Sequence, residues 1–283
     1  MSPLTARTRV FTLLGNPVEH SLSPVIQNAA FLEAGVDGIY VALRCDADGM
    51  VGLMSGLGGG GGGGNVTLPH KQKAASSLDK PSEAVLRTGA CNTFWGEGGK
   101  LCGDNTDVEG FGRALRHFLG SGPAGRRVLL LGAGGAARAV LVSLIDEQAE
   151  DVLILNRTVE RARAVARRIG GDRVRVAEVR ADVDDGDFDL VVNTTRLGLS
   201  PQDALPLDLE RLSGVGAVMD LVYGPSATAF VAASKRLGIP AVDGGEMLLH
   251  QGAVAFERWW GEAAPIAAMR QALEAARSAN AGA

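Results

Sequence analysis

Short apolar runs alternate with segments of helical spacing along almost the whole chain. The runs that predict strands are Val10–Leu14, Gly38–Leu43, Asn65–Leu68, Arg127–Leu131, Asp151–Leu155, Asp189–Asn193 and Ala217–Val222. Helical patterns cover Pro24–Ala34, a segment beginning near Thr106, the segment after Gly135 and the tail from Met247. Because strands that alternate with helices form βαβ units, the pattern predicts an α/β fold with parallel sheet.

One segment interrupts this alternation. Seven consecutive glycines, Gly58–Gly64, stand ahead of Asn65. Glycine makes up 39 of the 283 residues, about twice its ordinary share. The run is typical of a mobile loop, and a loop that contacts a ligand is the alternative.

Composition and charge narrow the class of protein. Apolar residues make up 46% and charged residues 21% of the chain, which is typical of a globular protein. Lys and Arg number 28 against 32 Asp and Glu, so neither nucleic acid nor an anionic membrane is expected as a partner. Cys45, Cys91 and Cys102 are too scattered for a disulfide framework or a zinc site. Without a secretory signal or an apolar run of roughly 20 residues, we expect a cytoplasmic protein.

The segment Gly132-Ala133-Gly134-Gly135-Ala136-Ala137 fits the pattern G-x-G-x-x-A. It directly follows an apolar strand and opens an alanine-rich helix, which is the context of a dinucleotide-binding turn. A pyrophosphate would lie on the free N–H groups of the helix start, where the helix dipole favours negative charge. This predicts a Rossmann-like, doubly wound parallel sheet; a merely tight turn between strand and helix is the alternative.

The end of the next strand bears on which dinucleotide is bound. A site for NAD normally has an Asp or Glu there, which bonds the ribose 2′-hydroxyl. Here Asn156, Arg157 and Thr158 follow the strand, and Arg161 comes soon after. A carboxylate would repel a 2′-phosphate, whereas an arginine can pair with it through two hydrogen bonds. The pattern predicts NADP, unless the arginines are only solvated surface charges.

Several polar residues of the first half could bind or transform a small molecule. Ser21 and Ser23 stand beside a helix start, where Ser23 could be the N-cap and Pro24 the first helical residue. Two hydroxyls there would also suit a carboxylate. Lys71 could be a solvated charge, and Asp107 a first-turn acid that the helix dipole favours.

Taken together, these segments are similar in order and spacing to the shikimate dehydrogenase family over essentially the whole chain. The matching segments are Ser21-Leu22-Ser23, Asn65–Lys71, Gly89–Thr93, Gly103–Asp107, Gly132–Ala136, Asn156-Arg157-Thr158 and Gly245–Gly252. The resemblance implies reversible, NADPH-dependent reduction of 3-dehydroshikimate to shikimate, a step toward chorismate and the aromatic amino acids. It also implies two α/β domains with the active site in a cleft between them.

The resemblance assigns roles to individual residues. The catalytic pair would be Lys71 and Asp107. The substrate-binding residues would be Ser21, Ser23, Thr67, Lys71, Asn92, Asp107, Tyr223 and Gln251. The cofactor-binding residues would be Glu83, Gly132, Ala133, Gly134, Gly135, Ala136, Asn156, Arg157, Thr158, Arg161, Asn193, Thr194, Leu221 and Gly244. Residues 1–104, completed by helices in residues 245–283, would form the substrate-binding domain, and residues 105–244 the NADP-binding domain.

Three other functions remain open at this point. The chain could act on quinate, or on both quinate and shikimate, or on an aminoshikimate substrate. It could also be a regulator that binds NADP or shikimate without catalysis. No metal is expected, because no cluster of ligand residues is apparent and hydride transfer needs none. The chain is expected to be a monomer or a homodimer whose partner is a small-molecule substrate.

Overall fold

The computed structural model describes residues 4–200 and 202–281, and it divides into two compact units. The first unit runs to Gly110 and includes the residues from Leu248 onward, and the second runs from Phe111 to Met247. Each unit contains helices and a sheet that is mainly or wholly parallel, so the predicted α/β class is confirmed. Residues 105–110 group with the first unit because the loop that contains Asp107 is bonded to Asn92 and Lys71.

The first unit is built around a six-stranded sheet in the order β2-β1-β3-β5-β6-β4. Its elements are β1 (Arg9–Gly15), α1 (Ser23–Glu33), β2 (Gly38–Arg44), α2 (Ala47–Gly59), β3 (Gly63–Val66), α3 (Lys71–Ala75), β4 (Lys80–Pro81), α4 (Glu83–Thr88), β5 (Thr93–Glu97), β6 (Lys100–Asp104) and the start of α5 (Asp107–Leu119). Strand β1 pairs in parallel with β2 and β3, whereas β5 is antiparallel to β3 and β6. The sequence pattern did not predict α2 or the β5–β6 hairpin.

The second unit has a fully parallel six-stranded sheet in the order β14-β13-β11-β7-β8-β9. Its elements are β7 (Arg127–Leu131), α6 (Gly135–Asp146), β8 (Asp151–Leu155), α7 (Val159–Val165), a π-helical turn (Ala166–Gly170), three 3₁₀ helices (Gly171–Arg173, Arg180–Val183 and Leu209–Arg211), β9 (Val174–Val176), β10 (Asp187–Phe188), β11 (Leu190–Asn193), β12 (Gly214–Val215), β13 (Val218–Asp220), α8 (Ala229–Arg236) and β14 (Ala241–Val242). Strands β10 and β12 form a separate parallel pair. Because β7 has β8 on one side and β11 on the other, the carboxyl ends of β7 and β11 border the place where doubly wound sheets bind ligands.

Two C-terminal helices, α9 (Gly245–Trp260) and α10 (Ile266–Ala281), complete the chain. Aromatic side chains of α9 join the core of the first unit. The ring of Trp259 lies 4.8 Å from that of Phe11, and the ring of Phe256 lies 6.0 Å from that of Phe31. The Trp259 indole also donates a hydrogen bond to the Phe94 carbonyl at 3.2 Å. Burial of these large rings explains why the end of the chain packs with its beginning.

The prediction of a mobile loop at Gly58–Gly64 is wrong. Gly58 and Gly59 end α2, Gly61 turns the chain with a φ of +77°, and Gly63 and Gly64 belong to β3. A Cβ on Gly63 would collide with the Phe94 carbonyl oxygen, and one on Gly64 would meet the Thr12 hydroxyl at 2.8 Å. The end of the run at Gly62–Gly64 is therefore closely packed between neighbouring strands, whereas Gly59–Gly61 form an exposed turn.

The edge strand β2 has a side-chain partner on its outer side. The Asn28 amide on α1 accepts a hydrogen bond from the Tyr40 backbone N–H at 2.9 Å and donates one to the Tyr40 carbonyl at 2.8 Å. A third hydrogen bond, which the amide donates to the Pro24 carbonyl at 2.8 Å, connects it to its own helix. One side chain thus satisfies both backbone groups of Tyr40, the third residue of β2.

Candidate functional site

Ser21 and Ser23 lie at the start of α1, but neither caps it. Leu22 occupies the N-cap position, and its side chain makes no capping hydrogen bond. The prediction that Ser23 is the N-cap is wrong, because Ser23 is already the first helical residue. The Ser21 hydroxyl instead lies 3.2 Å from both the hydroxyl and the backbone N–H of Ser23. The pair thus places two hydroxyls side by side, with that of Ser23 buried and that of Ser21 partly exposed.

Lys71 and Asp107 form an ion pair within the first unit. Lys71 begins α3, just after the turn that follows β3, and Asp107 begins α5. The Lys71 Nζ atom donates to Asp107 Oδ2 at 2.6 Å, and the two side chains are only 21% and 11% exposed. A pair this short and this sheltered is screened less than a surface salt bridge.

A buried network holds the other side of Asp107. The Asn92 side-chain amide donates to Asp107 Oδ1 at 2.9 Å, and its oxygen accepts from the Thr106 backbone N–H at 2.7 Å. Next to it, the Asn65 amide donates to the Thr93 hydroxyl at 2.9 Å. Asn92, predicted to bind substrate, is thus also a direct support of Asp107.

Tyr40 extends this network and was missed by the sequence analysis. Its hydroxyl donates to Asn65 Oδ1 at 2.8 Å, and complete burial raises its pKa well above the usual value. No local signal could have identified Tyr40, because it lies on a different strand, 25 residues before Asn65.

Two further predicted substrate residues lie in the first unit. Gln251, on α9, accepts a long hydrogen bond of 3.5 Å from the Asn92 amide and donates one to the Leu248 carbonyl at 2.9 Å. Thr67 follows β3, and its methyl group lies against Gly15. The remaining predicted substrate residue, Tyr223, belongs to the second unit, in the segment after β13.

The turn between β7 and α6 fits a dinucleotide. Gly132 has a φ of +112°, and a Cβ there would meet the Thr194 hydroxyl at 2.6 Å. Gly134 occupies the N-cap of α6 without any side-chain cap. A Cβ atom on Gly134 or Gly135 would have no atom of another part of the chain within 4 Å, so the space beside the start of the helix is open. The free N–H groups of α6 can therefore receive a pyrophosphate, as the fingerprint predicts, with Ala133 and Ala136 within the same turn.

The segment after β8 carries the residues expected to choose between NAD and NADP. Arg157 and Arg161 are exposed, and Asn156 donates to the Thr158 carbonyl at 2.7 Å. None of the positions 156–158 is a carboxylate. The residues present fit a 2′-phosphate better than a free ribose 2′-hydroxyl.

The remaining predicted cofactor residues lie mostly at the carboxyl ends of neighbouring strands. Thr194 follows β11 and bonds the Leu131 carbonyl through its hydroxyl at 2.6 Å. Leu221 and Gly244 touch, since a Cβ on Gly244 would collide with the Leu221 carbonyl. Glu83 is the exception, because it belongs to the first unit, as an exposed first-turn residue of α4.

Asn193 is wholly buried and serves an internal network. Its amide donates to Asp220 Oδ1 at 2.8 Å and its oxygen accepts from the Thr195 hydroxyl at 2.7 Å. Asp220 also accepts from the Thr228 hydroxyl at 2.7 Å and from the Val222 N–H at 3.1 Å. Burial raises the pKa of Asp220, although these hydrogen bonds oppose the shift. The network joins the ends of β11 and β13 to the start of α8.

The fold and the two sites together define a two-unit α/β protein with a dinucleotide-binding half and a small-molecule half. Three family models match the chain: the shikimate dehydrogenase substrate binding domain over residues 13–94, shikimate / quinate 5-dehydrogenase over 116–196, and the shikimate 5′-dehydrogenase C-terminal domain over 244–274. The chain belongs to the shikimate dehydrogenase family, and the resemblance stated from the sequence is confirmed.

Individual relatives match over nearly full length. A shikimate dehydrogenase (NADP(+)) of Moorella thermoacetica is 40% identical, with 100% of this chain and 98% of the relative covered. One of Methanopyrus kandleri is also 40% identical, with 95% and 96% covered. A crystal structure of the Thermus thermophilus shikimate 5-dehydrogenase in complex with NADP(H) and shikimate has a TM-score of 0.86 and 37% identity, with 95% and 99% covered.

Across residues 4–200 and 202–281, no helix combines the length and the apolar content that crossing a bilayer requires.

Proposed function

We propose that this chain is an NADP-dependent oxidoreductase that interconverts 3-dehydroshikimate and shikimate, a step toward chorismate and the aromatic amino acids. The observation that carries the proposal is the 2.6 Å ion pair of Lys71 and Asp107 beside a polar network of amides and hydroxyls. Relatives named shikimate dehydrogenase (NADP(+)), and a neighbour solved with NADP(H) and shikimate, support it.

Different polar side chains bind different parts of the substrate. Ser21 and Ser23 offer two hydroxyls to the substrate carboxylate, and neither is used as a helix cap. Thr67, Asn92, Tyr223 and Gln251 offer hydrogen bonds to the ring hydroxyls. The first unit serves as the substrate domain and the second as the NADP domain, so residues 105–110 belong to the substrate side and residues 245–247 to the NADP side, unlike the boundaries expected from the sequence.

Lys71 and Asp107 handle the proton. Bound NADPH supplies the hydride that reduces the ring ketone. The Lys71 ammonium stabilises the negative charge that develops on the ketone oxygen and donates a proton to it. Asp107 Oδ2 holds Nζ in position, and Asn92 holds Asp107 through Oδ1. In the reverse direction, the same Lys71 nitrogen accepts the proton from the substrate hydroxyl.

Cofactor binding rests on the second unit. The open start of α6 at Gly134 and Gly135 receives the pyrophosphate, and Arg157 and Arg161 pair with the 2′-phosphate. Three free cysteines fit the reducing cytoplasm, where we place the enzyme. It acts there as a monomer or a homodimer.

A substrate and cofactor scan tests the proposal. Specificity constants are measured for shikimate and quinate with NADP and NAD, on the parent chain and on Arg157→Ala. We expect shikimate with NADP to be best, and Arg157→Ala to weaken NADP by roughly 10- to 150-fold while NAD changes little. Arg173→Ala, at an exposed arginine of the same unit, is the control. Equal constants for NADP and NAD in the parent chain would refute the cofactor assignment.

The same scan decides a second candidate function. The family model matched over residues 116–196 is described as shikimate / quinate 5-dehydrogenase, which favours testing quinate as a natural substrate. Comparable specificity constants for quinate and shikimate would establish the broader activity. No turnover of either compound would refute both candidates and favour a binding protein.

A further inference from the structure

Arg258, on α9, is bonded to carboxylates on both sides of Asp107. Its Nε donates to Asp104 Oδ2 at 2.9 Å, and its Nη2 donates to Glu109 Oε2 at 2.8 Å. Asp104 ends β6 and Glu109 lies in the first turn of α5, so the two carboxylates bracket the short connection from β6 to the first residue of α5, residues 105–107, which we call the Asp107 loop. We call this three-residue cluster of Arg258, Asp104 and Glu109 the clasp.

The buried carboxylate of Asp104 makes the clasp more than a surface salt bridge. Its side chain is only 9% exposed, and its other oxygen accepts from the Ser82 hydroxyl at 2.5 Å and from the Asn105 N–H at 2.7 Å. A buried charge is tolerated only when it is paired and hydrogen-bonded, and Arg258 supplies the charge. Burial lowers the pKa of Arg258, but its bonds to Asp104 and Glu109 outweigh this and raise it overall.

Helix α9 is a firm support for this arginine. It packs so closely on the start of α5 that a Cβ on Gly110 would lie 2.6 Å from the Gln251 Cα atom. Trp259, the next residue after Arg258, is fixed to the Phe94 carbonyl of β5. Gln251 and Arg258 are seven residues apart, which places them on the same face of the helix. That face therefore contacts the Asp107 loop at two points.

We propose that Arg258 is a positioning residue for the reaction, because the clasp fixes the loop that aims Asp107 at Lys71. The inference rests on the proposed function of that pair. Asp107 binds the Lys71 Nζ atom through one oxygen only, Oδ2, at 2.6 Å. A small shift of the loop would therefore move Nζ, the atom that donates the proton, away from the substrate. Misplacement by about 1 Å can cost a hundredfold in rate.

The test compares Arg258→Met, which keeps the apolar stem, with Arg258→Lys and with Arg175→Met. Arg175 is the matched control, because it makes a two-bond pair with Asp151 at 2.8 and 2.6 Å in the second unit. We expect Arg258→Met to lower kcat about 10- to 100-fold while the KM for NADP stays within about twofold. Arg258→Lys should recover part of kcat, because one ammonium cannot reproduce the guanidinium fork. Arg175→Met should leave kcat unchanged.

Two further readouts separate positioning from a general loss of stability. In an Asp107→Asn background, Arg258→Met should lower kcat by less than about twofold more, because it acts through Asp107. Hydrogen exchange without ligands should speed up at residues 104–110 and stay unchanged in the second unit. Glu109→Gln, which removes half of the clasp without leaving a buried charge, should give a smaller effect of the same kind.

The outcomes distinguish the clasp from the proposed function. Unchanged exchange at residues 104–110 in Arg258→Met, or a kcat within twofold of the parent value, overturns the positioning role. Full additivity with Asp107→Asn also overturns it. A parent chain that does not oxidise shikimate refutes the proposed function instead, and the exchange measurement still decides whether Arg258 holds the loop.

Discussion

The amide of Asn92 and the ammonium of Lys71 donate hydrogen bonds to different oxygens of the Asp107 carboxylate. Asp107 is thereby held from both sides, by bonds of 2.9 and 2.6 Å. A carboxylate fixed in this way orients the lysine and keeps its charge balanced in a sheltered site. Lys71 and Asp107 should therefore behave as one unit in catalysis.

The first prediction concerns that unit. We expect Lys71→Ala and Asp107→Asn each to lower kcat by roughly 10²–10⁴-fold, because the first removes the proton donor and the second removes the charge that positions it. The double variant should be little worse than the poorer single one, since the two serve the same step. Steady-state kinetics and NADP titration provide the measurement, with NADP affinity expected to stay unchanged. Lys73→Ala, an exposed lysine of the same helix, is the control. Near-parental turnover in folded Lys71→Ala would contradict the mechanism.

The second prediction concerns the serine pair. Ser21→Ala and Ser23→Ala should each raise the KM for shikimate, because each removes a hydroxyl offered to the carboxylate. Neither occupies the N-cap of α1, so Ser23→Ala should barely change the melting temperature. Ser21→Ala should lower it slightly, because it removes the hydrogen bond that the Ser21 hydroxyl accepts from the Ser23 N–H, a loss of about 1 kcal/mol. Ser55→Ala, at an exposed serine of α2, should change neither quantity. An unaltered KM in both variants would place the carboxylate elsewhere.

Individual residues differ in how far the sequence could identify them. Lys71, Asp107 and Asn92 stand in motifs that resemble a known family, so the sequence identified them as candidate site residues. Tyr40 and Arg258 were not, because their partners are distant in sequence: 25 residues separate Tyr40 from Asn65, and 154 separate Arg258 from Asp104. Contacts of that kind depend on tertiary packing, which a single sequence does not display.

At the level of elements, the glycine run has three local structures in seven residues. It ends a helix, turns the chain and begins a strand. The composition suggested a mobile loop because a run of glycines has no side chains to pack. It could not show that backbone and side-chain atoms of neighbouring strands fill the space beside Gly63 and Gly64. The strands with strong apolar runs, such as β7 and β8, were predicted with the bounds that the structure has.

The third prediction uses glycines from both environments. Gly56→Ala should raise the free energy of unfolding by about 0.5–1 kcal/mol, because Gly56 is exposed in α2 and a Cβ there meets nothing within 4 Å. Gly63→Ala should lower it, because the new Cβ would collide with the Phe94 carbonyl. Urea unfolding of the two variants and the parent chain measures both effects. Equal stability of both variants would show that the run is loosely packed.

For the whole molecule, buried charge links stability to pH. Asp220 is fully buried in the second unit, and burial raises its pKa. The folded state therefore holds this proton more tightly than the unfolded chain, whose pKa is about 3.9. The stability that this group contributes is full below the unfolded pKa and is lost as pH rises through the raised folded value.

The fourth prediction follows from the direction in which burial shifts the pKa of Asp220. Asp220→Asn should become more stable relative to the parent chain as pH rises from about 4 to above the folded pKa of Asp220, and the difference should then level off. The asparagine oxygen can still accept from Asn193 and Val222, so the fold should survive. Urea unfolding followed by circular dichroism over this pH range measures the difference. A control is Asp203→Asn, where backbone N–H bonds lower the carboxyl pKa, so the stability lost should be constant above pH 4. A pH-independent difference for Asp220→Asn would contradict the prediction.

The single amide of Asn28 has a consequence for how copies of this chain behave toward one another. A sheet edge seven residues long can template another chain, because its free N–H and C=O groups invite a further strand. At Tyr40, the third residue of β2, those groups are already bonded to Asn28, so an incoming strand would meet an occupied position between two short stretches. Strand-mediated aggregation needs about six uninterrupted residues. The molecule is therefore protected against growing into fibrils from this edge by one side chain of a neighbouring helix.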